Sequence, residues 1–123
     1  MKNLIIDAAT DKILFKIIVD NKSYTSDYLN SRENFDKFAM LLFNFLKENK
    51  IKLKEINNIF INQGPGKFSG IRTSIAIAKG ISITNKLNLY GFDAQYVEDQ
   101  NYDKIIDLFN KGFLTKNLIK PHY

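Results

Sequence analysis

The stretch with the clearest capacity for chemistry is QGPGKFSGIRTS, Gln63 to Ser74. It follows the apolar run INNIFIN and precedes the small-residue run IAIAKGISI, so it reads as a strand, a glycine turn and a helix. That is the shape of a phosphate cradle. Backbone N–H groups near Phe68 to Arg72 point out of a helix start, the macrodipole is positive there, and Lys67 and Arg72 add charge. Spacing argues otherwise. A Walker loop needs G-x-x-x-x-G-K-[ST], yet counting from Gly64 puts Ser69 at the sixth position, and Lys67 comes too soon. A dinucleotide fingerprint needs G-x-G-x-x-G, and here the last glycine is displaced by one residue to Gly70, late in the chain. The simpler reading is structural: Gly64 and Gly66 supply unusual backbone angles around Pro65, and Phe68 plugs the core.

Little else in the chain could carry a reaction. There is no cysteine, and the single histidine, His122, stands beside the C-terminus, which disfavours His-built zinc sites and Ser-His or Cys-His nucleophiles. The net charge of +5 could serve an acidic partner such as nucleic acid. Against that, the only arginines are Arg32 and Arg72, and the lysines are scattered without a basic stripe or interleaved aromatics. The apolar start breaks at Asp7, too early for a signal-peptide core, and no run approaches the ~18 apolar residues of a membrane span. A cytoplasmic protein without a membrane partner is the expectation.

The elements that must position the glycine turn can be read in order. Leu4–Ala8 and Ile13–Val19 read as antiparallel strands, and Ser23–Tyr28 as a third. Ser31 can cap a helix over 32–49, and Ile56–Asn62 reads as a buried strand. A second long helix runs from Ser69 to about Asn85, Asn88–Phe92 is a fifth strand, and Asn101–Lys111 is a third, amphipathic helix. At 123 residues this makes one domain, with the order β-β-β-α-β-α-β-α and a mixed five-stranded sheet covered by helices.

Two features are left over. The apolar residues of the 32–49 helix, Phe35 to Leu46, cover roughly 200°, about twice what a one-sided helix needs. The second helix carries small residues on two lines at four-residue spacing: Gly70, Ser74, Ala78 and Ser82 on one, Ala76, Gly80 and Thr84 on the other. Either a further helix of the same chain covers these surfaces or another molecule does.

The segment NQGPGKFSGIRTSIAIAKGIS resembles the GPGSFTGLRIGLATAKGLA type of segment in the TsaB (YeaZ) family, the non-catalytic partner subunit in bacterial tRNA threonylcarbamoyladenosine synthesis. LIIDAATDK resembles that family's opening ALDTSTE, and SRENFDKFAMLLFNFL takes the place of its first long helix; the likeness covers about residues 1–95. It implies one lobe of the actin-like ATPase (ribonuclease H-like) fold over 1–97, with 98–123 as a C-terminal helix and tail packed on the same lobe and most of a second lobe lacking. It further implies binding to a TsaD-like transferase through a helical bundle, a homodimer in isolation, a further ATPase subunit, and contact with tRNA through the complex. The interface residues it implies are Phe35, Phe38, Leu42, Phe45, Ile71, Ser74, Ile75 and Ala78. Gly64, Pro65, Gly66 and Gly70 then form a structural turn. Asp7, Thr10, Lys67 and Arg72 would be a vestigial nucleotide or anion site, because Ala8 and Ala9 stand where the family opening has hydroxyls. No catalysis, cofactor, metal or bound ATP is implied. The alternatives are a small nucleotide-binding module, or a residual enzyme of the ATPase fold, using the Gly64–Ser69 turn, and direct tRNA contact through the lysines.

Overall fold

The computed structural model describes residues 1–97, 101–116 and 119–122. Three strands open the chain, β1 (Lys2–Asp7), β2 (Lys12–Val19) and β3 (Lys22–Leu29). They are followed by helices α1 (Arg32–Asp36) and α2 (Phe38–Glu48), strand β4 (Asn58–Asn62), helix α3 (Phe68–Asn85) and strand β5 (Asn88–Phe92). Helix α4 (Asp103–Asn110) and strand β6 (Thr115–Lys116) end the series. The six strands among the described residues form one sheet in the order β3-β2-β1-β4-β5-β6, antiparallel except where β4 runs parallel to β1 and to β5. The expected α/β lobe is present with one strand more than the five anticipated. β6 escapes a sequence reading because only two residues pair, Thr115 with Gly91 and Lys116 with Tyr90.

The period of two along each strand sorts side chains onto two faces. Leu4 and Ile6 of β1, Phe15 and Ile17 of β2, and Ile59 and Ile61 of β4 join α2 and α3 in one core. Ile5, Leu14 and Phe60 point the other way and meet Phe92, Val97, Tyr102 and Ile105 in a second core under α4. Polar residues share this second face and pin the register of β1 on β4: Asn58 Nδ2 donates to Asn3 Oδ1 (3.0 Å) and Asn62 Nδ2 to Asp7 Oδ1 (3.0 Å). A one-residue slip would exchange the side chains of the two packed faces and leave these amides without partners.

The single helix expected over 32–49 is two. Ser31 caps α1, its hydroxyl accepting from Asn34 N–H (3.3 Å), but the chain bends at Lys37 (φ −105°, ψ 9°) before α2 starts. No proline or glycine causes the break. It falls where Phe38 turns under the sheet, its ring edge-on to Phe15 with centroids 5.4 Å apart, while α1 buries no residue of its own. The Asn101–Lys111 helix shortens to Asp103–Asn110, with Tyr102 rather than Asn101 next to its first turn. The boundary expected at residue 98 lies outside the described residues, as does Tyr123. Ile119, far along the tail, is fully buried in the α2–α3 core, so the described chain after α4 contributes to both faces. No helix among the described residues is long and apolar enough to cross a membrane.

Candidate functional site

The glycine turn lies against the turn that follows β1. Gly64 has φ +98°, the left-handed region where a side chain is strained. A Cβ on Gly66 would fall on the Ala9 carbonyl, and one on Gly70 on the Ala8 carbonyl and the Asn30 amide, so both positions require glycine for close approach. Lys67 N–H donates to Ala9 O (2.8 Å), and Asn30 Nδ2 donates to Ala8 O (3.0 Å), which knits the two turns and the end of β3 together. Phe68, expected in the core, is half exposed instead. It stands at the first turn of α3, outside the sheet, and the Arg72 guanidinium lies 5.1 Å from its ring centroid.

A cavity of about 680 Å³ opens at the carboxyl ends of β1, β4 and β5, lined by Asp7, Thr10, Asn62, Pro65, Asp93 and His122 among others. Of the four residues expected to bind a nucleotide or anion, the structure brings Asp7 and Thr10 to this cavity and turns the other two away. Lys67 pairs with Asp11 (3.2 Å), and Arg72 lines a separate shallow groove with Ser69 and Thr73. The correction is electrostatic. Among the described residues, the ionisable groups lining the cavity are two carboxylates, which oppose an anion there, and His122, whose ring is engaged by Asp93. No cluster of three or more His, Cys, Asp or Glu side chains suited to a metal occurs among the described residues.

Asp7 is buried, and both its oxygens are occupied. Oδ1 accepts from Asn62 Nδ2 (3.0 Å) and from Ala9 N–H (3.1 Å), while Oδ2 accepts from the Tyr102 hydroxyl (2.6 Å). Burial first, then the Asp7 charge and the hydrogen bond to it, hold the Tyr102 hydroxyl far above the ordinary tyrosine range. Nearby, His122 N–H donates to Gln63 O (2.7 Å), Gln63 Nε2 to Lys120 O (3.1 Å), and His122 Nδ1 lies 2.8 Å from Asp93 Oδ1. The tail thus forms one wall of the cavity. Tyr102 and the Asp93–His122 pair carry no local sequence signal, because their partners lie 95 and 29 residues away. Asn62 was findable: it is two residues beyond Phe60 on β4, on the face that the alternation of β1 gives to Asp7.

The helices sort differently from the sequence expectation. Phe38, Leu42, Phe45, Ile71, Ser74, Ile75 and Ala78, expected at an interface, are all buried in the chain's own core, and Phe35 is half-buried against it. Half of the over-wide arc is therefore covered from within: α2 and α3 pack on each other and on the sheet. What the pair offers outward is Met40 and Phe43 on α2 (53% and 45% exposed), with Ala76, Gly80 and Ile83 on α3. The two lines of small residues divide cleanly. Gly70, Ser74, Ala78 and Ser82 are buried, with the Ser74 and Ser82 hydroxyls returned to their own helix; Ala76, Gly80 and Thr84 face out.

A family model described as TsaD: tRNA N6-adenosine threonylcarbamoyltransferase matches residues 26–94. The chain is 32% identical over 88 residues to the tRNA threonylcarbamoyladenosine biosynthesis protein TsaB of Buchnera aphidicola subsp. Schizaphis graminum, covering 72% of this chain and 42% of that protein. It is 29% identical over 91 residues to TsaB of Escherichia coli K12, covering 74% and 39%. It spans about two fifths of the length of these relatives. Among solved structures, YeaZ from Pseudomonas aeruginosa superposes with a TM-score of 0.70 at 17% identity, over 80% of this chain and 49% of that one. A Thermus thermophilus RuvC, solved with a Holliday junction substrate, superposes with a TM-score of 0.56 at 9% identity, over 92% and 78%. At these identities both likenesses speak for the fold alone.

Proposed function

The chain belongs to the TsaB (YeaZ) family, within the group that the TsaD model describes, and on that premise we propose that it is a non-catalytic partner subunit in tRNA threonylcarbamoyladenosine synthesis. Its role is to bind and activate a TsaD-like transferase in the cytoplasm, through a helical bundle built on the outward side of α2 and α3. In isolation the same side pairs two copies of this chain; a further ATPase subunit and the tRNA are reached through the transferase.

The observation that carries this reading is the outward side itself. Met40, Ala76, Gly80 and Ile83 leave an apolar, thin-walled surface on helices whose inner sides are fully packed. The Asp7 cavity supports the non-catalytic part. Its buried carboxylate, Asp7, is spent on three hydrogen bonds within the chain, and among the described residues no lysine or arginine lines it to meet a phosphate. The competing reading, nucleotide binding at the Gly64–Ser69 turn, would need cations that Lys67 and Arg72 direct elsewhere.

The test is reconstitution. The chain, mixed with the TsaD-like protein of the same organism, is expected to elute as one complex and to raise the threonylcarbamoyladenosine content of tRNA measured by mass spectrometry. Failure to associate, or unchanged modification, would sink the proposal, and tight magnesium-ATP binding by the chain alone would revive its competitor.

A further inference from the structure

We propose that a groove at the carboxyl end of α2 docks an acidic peptide segment of a partner protein, anchored by an apolar side chain. The groove, about 410 Å³, runs between α2 and the loop that leads to β4. Its floor is Phe43, Leu46, Ile51 and Leu53, and its rim is Lys47, Lys50 and Lys52.

The rim charge is offset only at Lys52, whose charge acts on the Glu55 carboxylate. None of the three lysines forms an ion pair among the described residues. They are not needed to cap α2 either, since backbone N–H groups already serve its last carbonyls: Asn49 donates to Phe45 O, Lys50 to Lys47 O and Ile51 to Leu46 O. The Glu55 and Glu48 carboxylates also have partners away from the rim. Glu55 accepts from Lys2 Nζ and from Lys52 N–H, and the Glu48 charge lies toward Tyr28, where after burial it is the next cause raising that hydroxyl's pKa.

An apolar floor inside a positive rim is complemented by carboxylates flanking a Leu-like anchor. Nucleic acid would satisfy the rim through its phosphates but leave the aliphatic floor without a counterpart, so the peptide is favoured. The groove shares Phe43 with the outward side of α2, but its test uses this chain without the TsaD-like protein, so its occupancy is read separately from the pairing proposed above.

The test uses the isotopically labelled full chain and a synthetic peptide of about a dozen residues in which leucines are flanked by glutamates. Amide shifts are expected at Phe43, Lys47 and Lys50 to Leu53. The double reversal Lys47→Glu with Lys52→Glu is expected to weaken binding roughly tenfold, and added salt should weaken it further. Both lysines are exposed, so the variant's amide spectrum elsewhere should be unchanged. Phe43→Ser, which keeps the rim charge, should also weaken binding. Absence of groove shifts overturns the proposal, as does equal binding by a lysine-flanked peptide or by polyglutamate without leucines. Tighter binding of a single-stranded RNA at the same residues would overturn it in favour of nucleic acid.

Discussion

The two faces of the sheet are closed in different ways. On one, α2 and the 18-residue α3 form a continuous helical layer whose inner residues are almost wholly apolar or small. On the other, the eight-residue α4 covers Ile5, Phe60 and Phe92, and its leading residue, Tyr102, reaches a buried carboxylate. The first face is held by shape and has apolar surface to spare on its outer side. The second is held by fewer apolar contacts and a polar latch, and it leaves the fold's crevice walled by the chain itself.

Variants can break this contrast in decreasing order of effect. Ala78→Asp places an unpaired charge at a fully buried position between α3 and the sheet, and should cost about 4 kcal/mol, seen as loss of the cooperative urea transition. Tyr102→Phe leaves one Asp7 oxygen without its partner and should cost about 2 kcal/mol by urea denaturation. That latch has a pH signature. The folded-state pKa of Tyr102 is raised above the ordinary tyrosine value of 10.0, so its contribution is complete below pH 10.0 and declines as pH rises past it, because the unfolded chain ionises first. Thermal midpoints should therefore fall less steeply above pH 10.0 in Tyr102→Phe than in the parent chain. The smallest effect has the opposite sign. A Cβ at Gly80 meets nothing within 4 Å, so Gly80→Ala should raise stability by about 1 kcal/mol through helix propensity alone.

Most of the lobe was legible because it is periodic. Alternation in β1, β2 and β4 and the long apolar helices locate the elements to within a few residues, and the glycine turn announces itself by composition. What sequence could not assign was direction. The two small-residue lines of α3 look alike as text, yet Ala78 meets the core and Gly80 meets solvent, because only the fold decides which side of a low-amphipathicity helix turns inward. Phe68 misled for a related reason: at a helix start an aromatic can stack on Arg72 as readily as enter the core. The latch was illegible because Asp7 and Tyr102 are joined only by tertiary structure. β6 was too short to show a pattern.

The outer side of α3 carries the functional claim, and Gly80 is where it is most exposed to test. Gly80→Arg adds a bulky charge to open space and replaces glycine with a good helix former, so the chain should fold with a thermal midpoint no lower than the parent's. Light scattering is expected to show one complex when the parent chain is mixed with the proposed TsaD-like partner and two separate species when the variant is. A Gly80→Arg chain that pairs as the parent does would contradict the account.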